Sequence, residues 1–276
     1  MDVRVRIPPW APDRKSGRVV VRKLPKNLCL NNPQKKMKRE AFALLKKAEK
    51  SWWYSGRARA VRAMLDKIHI KTTNEPVLDF GAGFGGMFAE LRRLSPDVYA
   101  FEPNAAARAE AAKRGYKATY ATKKEALSRR YAQIGLFDVI EHIENDIAFL
   151  RSLHQALTPD GLLIFTVPVF PLIWNDHDVM NEHFRRYTRR SFTKTLQTTG
   201  YEILAISHWN MLLFFPAMLV RLMGYSGSSS FTGGFLNWIL TCIVMVESFL
   251  IRIFPLPFGV SLVVIARRKN TSTSSK

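Results

Sequence analysis

The spacing of apolar positions divides the chain into three regimes. From Met37 onward, the run "REAFALLKKAEKSWWYSGRARAVRAMLDKI" carries apolar residues at helical intervals. It predicts one or two amphipathic helices with an interruption near Ser55-Gly56. From Pro76 the period changes. The short apolar runs "PVLDFG", "VYAFE", "KATYA", "AQIGLFDV", "LLIFTVPV", "YEILAISHW" and "SLVVIARRK" read as strands. Between them, Met87–Leu94, "NAAARAEAAKRG", "ENDIAFLRSLHQAL" and "RRSFTKTLQTTG" read as helices, and "PDG" as a turn into the fifth strand. This β-α alternation predicts an α/β protein, a doubly wound parallel sheet with helices on both faces.

The third regime is an apolar insertion, Asn210 to Gly259, ahead of the last strand. Its blocks "MLLFFPAMLVRLM" and "FLNWILTCIVMVESFLIRIF" are joined by the Gly/Ser-rich "GYSGSSSFTGG". The first block falls short of the roughly 17–25 residues that cross a bilayer. The second has the length but contains Asn237, Glu247 and Arg252. The flanking strands must join one sheet, so both ends of the insertion emerge on the same side and a single crossing is excluded. A helical hairpin lying in one leaflet is the expectation, with Arg221, Arg252, Arg267 and Arg268 facing anionic headgroups. Burial of the same surface by another protein, or by a second copy in a homo-oligomer, is the alternative. The expected domains are therefore a flexible basic extension (1–36) and an N-terminal helical cap (37–75). The α/β domain follows (76–209 plus 260–269), with the hairpin insertion (210–259) and a disordered tail (270–276).

Composition changes this picture little. An apolar fraction of 47% and 23% charged residues suit a globular chain of 276 residues. The net charge of +20 invites a nucleic-acid reading, but residues 1–36 hold ten Lys/Arg against two Asp/Glu. No zinc-ligand spacing or aromatic RNA-binding strand accompanies the charge, so nucleic acid is not the expected partner. Patterning from Met37 suggests that residue as the natural start. The cysteines Cys29 and Cys242 form no pattern, and the polar, basic amino terminus lacks a signal peptide's apolar run. The expected location is the cytoplasm, peripheral or monotopic at a membrane.

Chemistry concentrates in "VLDFGAGFGG", Val77 to Gly86. Gly81, Gly83 and Gly86 satisfy the dinucleotide spacing, yet Asp79 precedes them where a pyrophosphate would be repelled. S-adenosylmethionine carries no phosphate and has cationic groups at its methionine end. Glu102, at the end of the second strand, is placed to accept ribose hydroxyls. Together with "FEPN", "LFDVIEHIEND" and "DGLLIFTVP", this loop resembles class I S-adenosylmethionine-dependent methyltransferases. The similarity is strongest to the small-molecule group that includes ubiquinone-biosynthesis O-methyltransferases. It covers Val77 to Tyr201 and resumes at the last strand. It implies a seven-stranded Rossmann-like sheet whose last strand is antiparallel, and S-adenosyl-L-methionine as cofactor. By the same resemblance, Asp79, Gly81, Ala82, Gly83, Glu102 and Pro103 hold that cofactor, with Asp138 and Val139 bordering its methionine part. The third-strand region lacks the acid that often contacts adenine there.

A hydroxyl acceptor needs a base. Candidates are His142 in "DVIEH" and the loop "WNDHDVMNEHFRRYT", where His177 pairs with Asp178 or His183 with Glu182. A membrane-associated subset of the family has a similar H-D-x(4)-H-x-R-R-Y-T pattern. No metal is assigned, since nothing fixes a geometry for His177, Asp178 and His183. Arg185, Arg186 and Tyr187 read as caps of the loop, or the two arginines as a solvated pair or anion ligands, and Trp52, Trp53 and Tyr54 as packing or a cover over the cleft. The expected function is methyl transfer to a small apolar or lipid-linked acceptor at a membrane surface. The alternatives are a non-catalytic module on the same fold and, third, an NAD(P)-dependent oxidoreductase.

Overall fold

The computed structural model describes residues 49, 51–174, 178–179, 181–222 and 234–269. The expectations for residues 1–36, His177, the Arg221 side chain, the Gly/Ser-rich connector and the tail lie outside the described residues.

Seven strands form one sheet: β1 (Val77–Phe80), β2 (Val98–Phe101), β3 (Ala118–Tyr120), β4 (Tyr131–Phe137), β5 (Leu157–Pro168), β6 (Tyr201–Trp209) and β7 (Ser261–Arg268). Their order across the sheet is β3-β2-β1-β4-β5-β7-β6. All neighbouring pairs are parallel except those of β7, which runs antiparallel to both β5 and β6. The chain thus switches direction across β1, and the crevice at such a switch point is where open α/β sheets bind ligands. Central strands are apolar on both faces because helices cover both. In β1, Leu78 and Phe80 enter one core with Ile134, Leu136, Phe165 and Val264. Val77 enters the other, with Val98, Ile164 and Ile265. Asp79 is the one polar residue of that fully buried strand.

Helix α1 (Trp52–Lys67) runs through Ser55-Gly56 without the expected interruption. Gly56 serves packing instead: a Cβ there would lie 3.1 Å from Val244 and 3.3 Å from Trp209. The smallest residue is needed where α1 meets the insertion. The fifth strand also differs from expectation. "PDG" is not a separate turn but an irregularity within β5, whose register against β4 jumps between Leu157 and Leu162.

The insertion folds as α7 (Phe214–Leu222) and α8 (Gly234–Ile253). The remaining helices are α2 (Phe88–Arg92), α3 (Ala105–Ala112), α4 (Lys123–Ala126), α5 (Asp146–Leu153) and α6 (Arg189–Thr198). Helix α8 packs along α1, with Asn237 and Glu247 facing the protein and Arg252 at the surface. Asn237 Oδ1 accepts from Trp52 N at 2.8 Å, capping α1 from outside. Glu247 is buried and accepts from the backbone of Asn210 and Leu212, where the insertion departs. Arg252 pairs with Asp66 at 2.7 Å. Phe235, Leu236, Trp238, Met245, Val246, Phe249 and Ile253 remain exposed. Arg267 pairs with Glu202 at the far end of β7, opposite the root of the insertion, and Arg268 lies beside it. Of the arginines expected at headgroups, Arg252 and Arg267 are about half exposed while pairing with acids, and Arg267 and Arg268 lie at the end of β7 away from the insertion's root.

Gly56→Leu should force α1 from α8 at a cost of about 1–3 kcal/mol. Thermal unfolding should shift down by several degrees, and an unchanged midpoint would contradict the tight crossing.

Candidate active site

The glycine loop leaves the carboxyl end of β1. The backbone N–H groups of Gly81 and Ala82 both donate to Phe101 O, at 2.8 and 2.9 Å, lashing the loop to the end of β2. Gly81 has φ +80, and a Cβ there would meet Val139 Cγ2 at 2.6 Å, so only glycine fits. Gly83 has φ +55, and nothing lies within 4 Å of the position its Cβ would take. Open space therefore begins at Gly83. Glu102 accepts from Gly83 N through Oε2 and from Asn104 N through Oε1, both at 2.8 Å. Asn104 caps α3 by accepting from Ala106 N and Ala107 N. Pro103 lies exposed in the turn between them.

Asp79 is 1% exposed beneath this loop. The Tyr116 hydroxyl donates to its Oδ2 at 2.5 Å. Burial pushes the Asp79 carboxyl up to about 6; the Tyr116 bond and the Arg57 charge oppose this, and Glu102 adds to it. The strand-end acid is thus a sealed group whose carboxyl is raised to about 6 by burial. Asp138, in a left-handed conformation after β4, accepts from Arg57 Nη1 at 2.8 Å and from Thr166 Oγ1 at 2.9 Å. The eight residues expected at the cofactor thus gather at the carboxyl ends of β1, β2 and β4, Val139 against Gly81 and Glu102 against Gly83.

The single-turn helix Ile140–His142 follows Asp138. Its Glu141 is fully buried, and neither carboxylate oxygen has a hydrogen-bond partner. Burial holds the Glu141 carboxyl well above its usual range, and nearby Asp138 reinforces this. His142 meets His183 edge to face, with ring centroids 4.6 Å apart. Burial, and then the neighbouring His183, lower the His142 pKa, which favours the neutral ring.

His183 pairs with Asp178 (Nδ1 to Oδ1, 2.9 Å) rather than with Glu182. The backbone bond from His183 N to Asp178 O closes a tight turn that brings these two together, while Glu182 is exposed at φ +57. Arg186 Nε donates to the same Asp178 oxygen at 2.7 Å and Nη1 to Val169 O at 3.1 Å. Arg185 binds the carbonyls of Ile143 and Glu144 and pairs with Asp146. The two arginines are therefore anchors of the loop, not a solvated pair. Trp53 packs on Trp209 at 4.7 Å, as a core aromatic, whereas the Tyr54 ring lies under the Arg57 guanidinium, 4.9 Å from centroid to Cζ.

Sequence reasoning missed Tyr116, Arg57 and Thr166, each of which reaches the site across tens of residues. Glu141 stood inside a quoted motif, and its signal was an acid among apolar residues at a strand end.

A family profile described as a methyltransferase domain matches residues 39–206. Comparison with curated proteins finds no match. Among solved structures, the chain resembles a chain of the complex between the Haloferax volcanii Trm112 methyltransferase activator and a methyltransferase. That pair shares 14% identity with a TM-score of 0.56, covering 84% of this chain and 96% of the other. A chain from Listeria monocytogenes assigned as an S-adenosylmethionine-dependent methyltransferase gives 13% identity and a TM-score of 0.52, over 78% and 99%. The plantazolicin methyltransferase BpumL, solved with S-adenosylhomocysteine and a triazolic desmethyl analogue, gives 15% and 0.52, over 87% and 92%. At these identities the likeness is one of fold.

The two loop glycines should respond differently to alanine. Gly81→Ala meets both the left-handed backbone cost of about 1–2 kcal/mol and the Val139 contact, whereas Gly83→Ala meets only the first. Urea unfolding should show the larger loss for Gly81→Ala, and equal losses would contradict the geometry.

Proposed function

The chain belongs to the methyltransferase-domain family, and from that premise we propose that it is an S-adenosylmethionine-dependent methyltransferase acting on a small apolar or lipid-linked acceptor at a membrane surface. The observation that carries the cofactor reading is the Gly83–Glu102 pairing beside open space. Each Glu102 oxygen accepts one backbone N–H, and a carboxylate has about four lone-pair sites, so ribose hydroxyls could still donate to it. A side chain at Gly83 would fill the space a ligand needs. Asp79 disfavours a pyrophosphate there, which argues against a nicotinamide coenzyme, while Glu102 suits the ribose of either ligand. When bound, the cofactor would supply an activated methyl group on a sulfonium.

The residues of this chain would orient the acceptor and exclude water, from which much of the rate arises. Of the residues expected in catalysis, His142 and His183 offer ring nitrogens at this edge. Asp178 is a positioning residue behind His183, held by Arg186.

Two features support an apolar acceptor. Ile173, Phe214 and Val260 form a small core with Trp53, Phe170, Met218 and Phe258, which joins the segment after β5 to the root of the insertion. The insertion leaves β6 and re-enters β7 at the same sheet edge that carries the glycine loop, since Trp209 and Pro168 both register with Ser261. Helix α8 is, among the described residues, the one helix long and apolar enough to cross a membrane. With Asn237 and Glu247 turned inward and Arg252 at the surface, its outer face would lie in the interface rather than span it.

Calorimetry should show binding of S-adenosylmethionine but not NAD(H), and Glu102→Gln should weaken it at least about tenfold, as loss of charge-assisted hydrogen bonds implies. Tight NAD(H) binding would overturn the cofactor reading. Ionised Asp79 favours a cationic donor, so affinity should rise with pH through about 6. It should fall by up to about tenfold at pH 5, and Asp79→Asn should flatten the profile; a flat wild-type profile would contradict this role. In flotation with vesicles containing anionic lipid, the full chain should rise with the lipid and Trp238→Ser/Phe249→Ser should not. Wild-type protein remaining at the bottom would refute membrane docking.

A further inference from the structure

We propose that Glu141, His142 and His183 bind one divalent transition-metal ion. One ligand atom from each of the three lies within 4.8 Å of the other two. Three independent features point to a cation at their centre.

The first is the orphaned acid. Glu141 is 0% exposed and neither of its oxygens meets a donor. A buried carboxyl with no donor has unused ligand capacity that a cation would satisfy, and one Glu141 oxygen lies in this cluster with a ring nitrogen of each histidine. The second is the support behind His183. Its Nδ1 lies 2.9 Å from Asp178 Oδ1, and the same oxygen is held by Arg186 Nε at 2.7 Å. Donation from Nδ1–H to that carboxylate leaves the Nε2 lone pair free, the carboxylate–histidine arrangement that orients metal ligands. The third is the pairing of rings. His142 and His183 meet at 4.6 Å, which sets a nitrogen of each ring beside the other and beside a Glu141 oxygen. The His142 ring is itself hydrogen-bonded to the Asn181 backbone.

Two imidazoles and one carboxylate suit Zn²⁺, Mn²⁺ or Fe²⁺ better than Mg²⁺ or Ca²⁺, which prefer oxygen ligands. Metal–ligand bonds of roughly 2.0–2.2 Å set tetrahedral ligand atoms about 3.4 Å apart, so separations of up to 4.8 Å would close by up to about 1.4 Å. Asp178 is committed to His183 and Arg186, so it supports the site rather than ligating the ion. Three protein ligands leave coordination positions open. Resting on the methyl-transfer reading for this clause alone, those positions would take an oxygen nucleophile of the acceptor, whose pKa a metal lowers toward neutrality.

The test uses the full chain freed of metal with a chelator and dialysed, then titrated with Mn²⁺ and Zn²⁺ by calorimetry. Wild type should bind one equivalent. Glu141→Gln and His183→Ala should weaken binding at least about tenfold, the effect of disturbing a ligand shell, while His69→Asn, a surface control, should not. Zn²⁺ should also raise the melting temperature of wild type but not of Glu141→Gln. Glu141→Gln should melt no lower than wild type without metal, since an amide of the same shape replaces a buried carboxyl that has no hydrogen-bond partner. Absence of saturable binding in wild type, or equal binding by Glu141→Gln, would overturn the site. Calorimetry with S-adenosylmethionine on the same preparation separates the two readings. Donor binding without metal binding removes the metal site alone, and metal binding without donor binding removes the methyltransferase reading alone.

Discussion

The ion pair between Arg57 and Asp138 is the contact on which the arrangement of this molecule turns. It is largely withdrawn from solvent, with side chains 11% and 25% exposed. It ties α1 to the carboxyl end of β4, where Asp138 also accepts from Thr166 of β5. Truncating one partner of such a pair leaves the other charge uncompensated, a loss of several kcal/mol. The consequence is architectural: α1 cannot move independently of the strand ends that build the candidate site. Because α8 lies along α1, capping it through Asn237 and crossing it closely at Gly56, the exposed apolar face is mechanically continuous with that site.

This continuity explains how a helix of such apolar composition is accommodated. Asn237, Glu247 and Arg252 would each be costly in lipid. Each is instead used on the protein side, for the α1 cap, the insertion root and the Asp66 pair. What is left outward is aromatic and aliphatic apart from the half-exposed Arg252. The interruptions that looked like defects in a membrane segment are the attachments of a protein-bound helix with one apolar side.

Much of this was legible in the sequence, and the boundary of legibility is physical. The sheet, its switch point and the loop chemistry were visible because strand periodicity and glycine spacing are local properties. Gly81 must be glycine partly because its turn takes a left-handed backbone, a local demand, and partly because of Val139 from after β4, and Glu102 ends the adjacent strand. The contacts that tune the site are long-range. Tyr116 reaches Asp79 across 37 positions and Arg57 reaches Asp138 across 81, so the burial that moves Asp79 toward neutrality had no local signal. His183 was misassigned to Glu182 because adjacency suggested it, whereas the turn carries Asp178 back to the ring. The same limit hid the break that never occurs in α1: Gly56 looked like punctuation but serves a helix crossing made almost two hundred residues later.

Both the donor loop and the apolar face lie at one edge of one sheet, so the decisive quantity is where a transferred methyl group ends up. Incubation of the full chain with methyl-labelled S-adenosylmethionine and a membrane extract, followed by organic–aqueous partition, measures it. The account predicts label in the organic phase that disappears with Glu102→Gln. Label confined to the aqueous phase, or transfer that persists in the variant, would contradict it.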